Sequence, residues 1–240
     1  MYNLDNKIEK YIDLMKKKHG VTSAMVVGSY AKGTMNPNSD VDLYFIGSKL
    51  DFCERGREYF EDIEFEYFIN PEWKYYHRML EDKTTLHILS SGKVLFDSNG
   101  QMEILKKKAS NKIKDYAPQL KEQRKKDYAF HLETIRKDGE DLHRQGNIED
   151  FLYFTGSKIN FLAEVICLLR SKLPIYAKYG VSEMKEVDPT FSALLKNFLL
   201  ASHVDQKKGQ KWIELCLYVS KALGNVDIKT YKNVVKLALE

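Results

Sequence analysis

The sequence predicts an α+β protein in two parts: an N-terminal mixed sheet with flanking helices, then a C-terminal all-helical bundle. Three observations carry this reading. Short apolar strands and helical patterns mix up to about residue 100. Beyond Gly100 the apolar residues recur almost throughout at the three- and four-residue spacing of helices. Between the two lies a basic segment, 106–126, with nine Lys/Arg against two acidic residues, a local charge of +7 in a chain whose total is +4. The expected division is therefore 1–105 and 106–240, with a bundle of roughly five helices in the second part.

Taken in order, Leu4, Ile8, Tyr11, Ile12 and Met15 fall on one face of a first helix that ends near Gly20. "TSAMVVG" is a short apolar strand, and "VDLYFIG" a second one after the Asn-Pro-Asn-Ser turn. "DFCERGREYFED", rich in Glu and Arg, reads as a helix, and "IEFEYFI" as the next strand. Asn70-Pro71 opens a short helical piece through Leu80, and "HILSSGKVLFD" reads as a hairpin or paired edge strands around Ser91-Gly92. In the second part, Pro118 starts a long helix that breaks near Gly139 or Gly146. "IEDFLYFTGSKINFLAEVICLLRSKL" is the most apolar and central helix, and further helical patterns start at Pro189, near Gln206 and at Val226.

Composition excludes several classes. Of the 240 residues, 43% are hydrophobic and 12% aromatic, enough for a packed core and unlike a disordered chain. The three cysteines, Cys53, Cys167 and Cys216, are odd in number and lie far apart, so neither a disulfide framework nor a metal spacing is expected, and a reducing cytoplasm is. The N-terminus has no signal-peptide pattern. The longest apolar stretch, "INFLAEVICLL", is interrupted by Glu164 and reads as shorter than the ~20 residues of a bilayer span, so no membrane partner is expected. The six histidines (19, 77, 87, 131, 143, 203) show no metal spacing, and Ser90-Ser91 has no nucleophile context.

The stretch "GSYAKGTMNPNSDVDLYFIG", 28–47, carries the chemistry. Asp40 and Asp42 are two apart at the start of a strand, so both carboxylates leave on one face while Val41, Leu43 and Phe45 take the other. Two neighbouring carboxylates repel one another and suit a site for one or two Mg²⁺ ions bound through oxygen. The ordinary alternative, a polar outer face, is opposed by Tyr44 and Ile46, which continue the acidic face as apolar residues. Gly28 follows an apolar strand directly, Ser29 offers a hydroxyl and an N–H at the turn, and Gly33 allows a positive φ. Such a loop can cradle phosphates. It is not a Walker A loop, because Thr34-Met35 stands where Lys-Ser/Thr is required, and no dinucleotide fingerprint occurs. A third acid comes from "IEFEYFI", where Glu64 and Glu66 share one face. Glu66 is favoured because it sits nearer the strand's end, and Glu64 stays open.

Gly28-Ser29, Gly33-Thr34 and Ser39-Asp40-Val41-Asp42-Leu43, with a third acid on a later strand, resemble the signature of the polymerase-β-type nucleotidyltransferase superfamily. The fuller "GSYAKGT…SDVDL", the trailing "GKVLFDSNG" with Asp97, and the helical second half are similar to the bacterial branch that includes aminoglycoside and lincosamide nucleotidyltransferases. The resemblance implies a catalytic domain over 1–105 and a helical substrate-binding domain over 106–240. It implies Mg²⁺ on Asp40, Asp42 and Glu66 (or Glu64), and ATP or another NTP as co-substrate bound by Gly28, Ser29, Lys32, Gly33 and Ser39. Lys32 occupies a position where that family often has Arg. The implied acceptor is a small hydroxyl-bearing molecule such as an antibiotic. The alternative is a toxin–antitoxin or signalling enzyme of the same fold that modifies a protein or RNA; nucleic acid is otherwise not expected as a partner, and a homodimer is compatible with the class. Lys158 and Lys178 are candidate triphosphate contacts, with snorkelling at a bundle edge as the ordinary alternative. Tyr75, Tyr76, Tyr153 and Phe154 are candidates for base stacking, with core packing the ordinary alternative.

Overall fold

The computed structural model describes residues 2–47, 51–202 and 207–234. The chain forms two compact units, Met1–Asp115 and Tyr116–Glu240.

The first unit is a five-stranded mixed sheet in the order β3-β4-β2-β1-β5. It begins with α1 (Tyr2–His19), which ends where Gly20 takes φ +62 and its N–H bonds the Lys16 carbonyl at 2.9 Å. β1 (Val21–Val26) follows, then a single helical turn, α2 (Gly28–Ala31), and β2 (Val41–Gly47). β3 (Glu54–Phe60) and β4 (Ile63–Asn70) form a hairpin, with α3 (Glu72–Glu81), α4 (Lys83–Ser91), β5 (Lys93–Asp97) and α5 (Gln101–Lys114) completing the unit. β1 runs antiparallel to β2 and β5, whereas β2 and β4 are parallel.

Alternation along the strands divides the apolar residues between two layers. Val41, Leu43 and Phe45 of β2, with Phe65, Tyr67 and Ile69 of β4, pack under Ile8, Tyr11, Ile12 and Met15 of α1. Each such side chain, fully buried, contributes about 1.5–3 kcal/mol. On the opposite face, Tyr75 of α3 stacks on Tyr44 at 5.8 Å, and its hydroxyl donates to the Phe45 and Phe68 carbonyls. Tyr75 is thus a core residue rather than an exposed stacking platform.

Two elements differ from the sequence expectation. Residues 54–60, expected within a helix, form β3, because pairing with β4 through a two-residue turn at Glu61 and Asp62 (φ 47° and 65°) outweighs the helix propensity of Glu and Arg. Residues 87–91, expected to be strand, end α4. That helix is fixed at its start by Asp82, whose carboxylate accepts from the Thr84 N–H and the Thr85 hydroxyl. The expected boundary at 105/106 falls inside α5, whose Met102, Leu105 and Ala109 are buried in the first unit.

The second unit comprises α6 (Glu122–Arg144), α7 (Ile148–Leu169), a 3₁₀ turn at Ala177–Tyr179, α8 (Gly180–Val187), α9 (Pro189–Leu200) and α10 (Lys207–Leu223). Its core gathers Leu132, Ile135, Phe151, Val165, Phe191, Phe198, Trp212 and Leu215. Gly139 does not break α6. A Cβ there would collide with the indole nitrogen of Trp212, so the glycine admits the buried ring. α6 starts four residues after Pro118, α8 is an addition to the sequence expectation, and 226–234 contain no helix. The helix start expected near Gln206, and His203, lie outside the described residues. α7 is long and apolar enough to cross a membrane by length and composition, a test that a buried core helix also passes; it carries an exposed polar series, Glu149, Tyr153, Ser157, Asn160 and Glu164, and a buried face in the bundle core.

Asp188 is the polar hub of this unit. It caps α9 through the Phe191 N–H at 2.9 Å and accepts from Arg170 (Nη2, 2.7 Å) and from the Tyr218 hydroxyl (2.8 Å). It is 3% exposed. Burial alone would raise its pKa, but the Phe191 N–H, Tyr218 and Arg170 together lower it below the ordinary aspartate value.

Candidate active site

The parallel pairing of β2 with β4 places Asp42 in register with Glu66. Side chains in register on neighbouring strands leave the same face, so these two carboxylates converge, and Asp40, two residues earlier, joins them. One oxygen from each of Asp40, Asp42 and Glu66 lies within 4.8 Å of the others. Glu64 is not part of the group. It faces the outer strand, where Arg57 pairs with it at 3.0 Å and the Tyr59 hydroxyl donates to it at 2.8 Å. Three half-buried carboxylates in mutual reach form a hard oxygen donor set, which fits a divalent cation of the Mg²⁺ kind.

The Gly-Ser turn lies directly against this group. Gly28 has φ +65, and a Cβ there would overlap Oδ2 of Asp42. Both facts demand glycine: the backbone is left-handed, and the Asp42 carboxylate fills the space a side chain would need. The Val27 N–H donates to the Asp42 carbonyl at 3.0 Å, which ties the end of β1 to the acidic strand. Within the loop, the Lys32 N–H bonds the Gly28 carbonyl and the Thr34 N–H the Ser29 carbonyl, while Gly33 takes φ +67. Ser39 closes the next turn, its Oγ accepting from the Asn36 N–H at 3.0 Å and its own N–H donating to the Asn36 carbonyl. That turn delivers the chain to Asp40.

The surroundings of the acids are less legible in the sequence. Arg55 of β3 donates through Nε (2.9 Å) and Nη2 to the same oxygen of Glu66. The Tyr44 phenol, on the acidic face of β2, has its pKa pushed up to about 12 by burial, with Arg78 opposing and Asp42 and Glu66 adding to the rise. It therefore stays neutral. Reading residues 51–62 as helix hides Arg55; the strand alternation of β3 shows in its burial and not in the residue types of "ERGREYF". Asp97 holds structure, accepting from the Ser23 hydroxyl at 2.7 Å and from the Glu103 N–H at 3.0 Å. Lys158 and Lys178 lie in the second unit over the Phe154 and Tyr179 rings at 5.4 and 5.6 Å. Tyr153 there is exposed, and Tyr76 of the first unit accepts from Lys108.

Residues 8–87 match the family model described as a nucleotidyltransferase domain. A nucleotidyltransferase-like protein from Exiguobacterium sibiricum is similar in structure over 91% of this chain and 75% of its own, with a TM-score of 0.51 and 15% identity, a likeness of fold. The comparison with curated proteins returns no match. Residues 8–87 of the first unit thus carry a nucleotidyltransferase domain, which indicates an enzyme of the nucleotidyltransferase kind.

Proposed function

We propose that the protein transfers a nucleoside monophosphate, AMP in the first instance, from an NTP to a hydroxyl group of a small molecule, with release of pyrophosphate. The observation that carries this reading is the convergence of Asp40, Asp42 and Glu66 beside the Gly28-Ser29 turn. The hydroxyl oxygen bonds to the α-phosphorus as the bond to the oxygen bridging the β-phosphate breaks, and the hydroxyl proton is released to a carboxylate or water. Mg²⁺ held by Asp40, Asp42 and Glu66 would supply neutralisation of the triphosphate charge and polarisation of the reacting phosphoryl group. Ser29 and the neighbouring N–H groups bind the β- and γ-phosphates in this reading, with Lys32 on the loop as a further cation. Gly28 keeps the loop against Asp42, and Ser39 orients the entry to Asp40. Glu64, held by Arg57 and Tyr59, supports the strand without taking a ligand role.

The helical unit is our assignment for acceptor recognition, and an aminoglycoside- or lincosamide-like molecule is the acceptor class we favour. One observation supports the second reading, a protein or RNA acceptor: Lys107, Lys108, Lys112 and Lys114 of α5 are all exposed. The test is incubation with each α-labelled NTP and Mg²⁺ against hydroxyl-bearing antibiotics, with tRNA and protein arms in parallel. The expected result is a labelled small-molecule adduct with one pyrophosphate per transfer. Label confined to RNA or protein would select the second reading, and label on nothing would contradict both.

A further inference from the structure

The hairpin of β3 on β4 places a cation against one acid of the group, Glu66. Arg55 pairs across the strands with Phe68, two residues beyond Glu66, and its guanidinium lies 5.0 Å from the Phe68 ring centroid. From there Nε and Nη2 both donate to Oε1 of Glu66. The Arg55 side chain is 69% exposed and that of Glu66 15%, so a solvent-facing cation on an edge strand reaches in to an inward carboxylate. Glu64, on the same strand face, has its own arginine, Arg57, so each of the two glutamates of β4 is matched to a separate partner.

We propose that Arg55 is a resident competitor for the divalent cation: its guanidinium neutralises Glu66 when no such ion is bound, and thereby sets how tightly the site takes one up. This rests on the reading of Asp40, Asp42 and Glu66 as the cation ligands and extends it to a positioning residue that is none of them. The physical basis is twofold. Two N–H donors on one carboxylate oxygen engage lone pairs that would otherwise be available as ligands. A fixed positive charge in contact with one ligand also lowers the negative potential that attracts a divalent ion. Of the three acids, Glu66 is the one that receives both donors, so it is the ligand whose engagement Arg55 controls. Because Arg55 sits on an edge strand with a long, exposed side chain, it can yield to solvent without disturbing the sheet.

Arg55→Met, Arg55→Lys and wild type are titrated with Mn²⁺ alone, without nucleotide, with binding read by electron paramagnetic resonance. Arg55→Met should bind Mn²⁺ more tightly by on the order of tenfold. Arg55→Lys, which keeps the charge and loses the fork, should fall between it and wild type. On a Glu66→Gln background the gain from Arg55→Met should shrink to about twofold, because the two residues act through one contact. Unchanged or weaker Mn²⁺ binding in Arg55→Met overturns the proposal, as does a full tenfold gain that persists without Glu66. Wild type that binds no Mn²⁺, or Asp42→Asn that binds it as wild type does, overturns the ligand assignment itself. The two failures are therefore distinguishable.

Discussion

Two carboxylate centres in this molecule are built on opposite plans. Asp188 in the helical unit is one acid answered by three donors, the Phe191 N–H, Arg170 and Tyr218. Asp40, Asp42 and Glu66 in the sheet unit are three acids in mutual reach, with Arg55 as the cation gripping Glu66. A saturated acid is at its lowest free energy as it stands and contributes to stability. A cluster with excess negative charge is held together against its own repulsion by the pairing of β2 with β4. The contrast is one of arrangement: the first carboxylate is one acid surrounded by donors, and the second gathers three acids at one point.

Substitutions at the two centres should accordingly move different quantities. The largest effect is expected from Asp42→Asn or Asp40→Asn, where transfer activity should fall by at least ~10³-fold, as when a group stabilising developing charge is lost. The thermal transition should stay level or rise, since like-charge repulsion is relieved. Retained activity in a steady-state assay would place the chemistry elsewhere. Next is Gly28→Ala. Its Cβ would collide with Oδ2 of Asp42 in a left-handed backbone, so turnover should drop about 10–100-fold with a stability loss of about 1–2 kcal/mol. Normal turnover in Gly28→Ala would show that the turn relaxes freely.

The converse substitution, Asp188→Ala, should cost about 2–3 kcal/mol in a denaturant titration, from the lost cap and the lost contacts to Arg170 and Tyr218. Its pH signature has a definite sign. The folded pKa of Asp188 is lowered, so its contribution is fully present above the ordinary aspartate value of about 4. It is lost as pH falls through the lowered folded value. The acid limb of the wild-type stability curve should thus be steeper than that of Asp188→Asn, and two superimposable limbs would remove Asp188 from the acid response.

Much of the candidate site is legible in the sequence, for stated reasons. A strand's two-residue period places Asp40 and Asp42 on one face, and the glycine before Ser29 marks a turn where only glycine fits. The same period leaves Glu64 and Glu66 equivalent, because both leave one face of β4. Strand register, which no local pattern encodes, separates them: Asp42 pairs with Glu66, and Glu64 is drawn to Arg57 and Tyr59. β3 reads as helix because Glu and Arg favour helices and the Glu61-Asp62 turn lacks the usual Asn-Gly signal, so Arg55 stays hidden. Gly139 and Gly146 read as equal candidates for the break after α6; the helix ends beside Gly146, and the reason for Gly139, the Trp212 ring, lies 73 positions along the chain. What cannot be read is, in each case, a contact made with another element of the fold.

The central claim is that register, not residue type, makes one glutamate a ligand of the proposed site and leaves the other paired to the neighbouring strand. The most direct test is pyrophosphate release from Mg-NTP by wild type, Glu66→Gln and Glu64→Gln, side by side at saturating substrate. Glu66→Gln should lose about two to three orders of magnitude in kcat, and Glu64→Gln no more than about tenfold. Equal rates in the two variants, or a dead Glu64→Gln beside an active Glu66→Gln, would contradict the account.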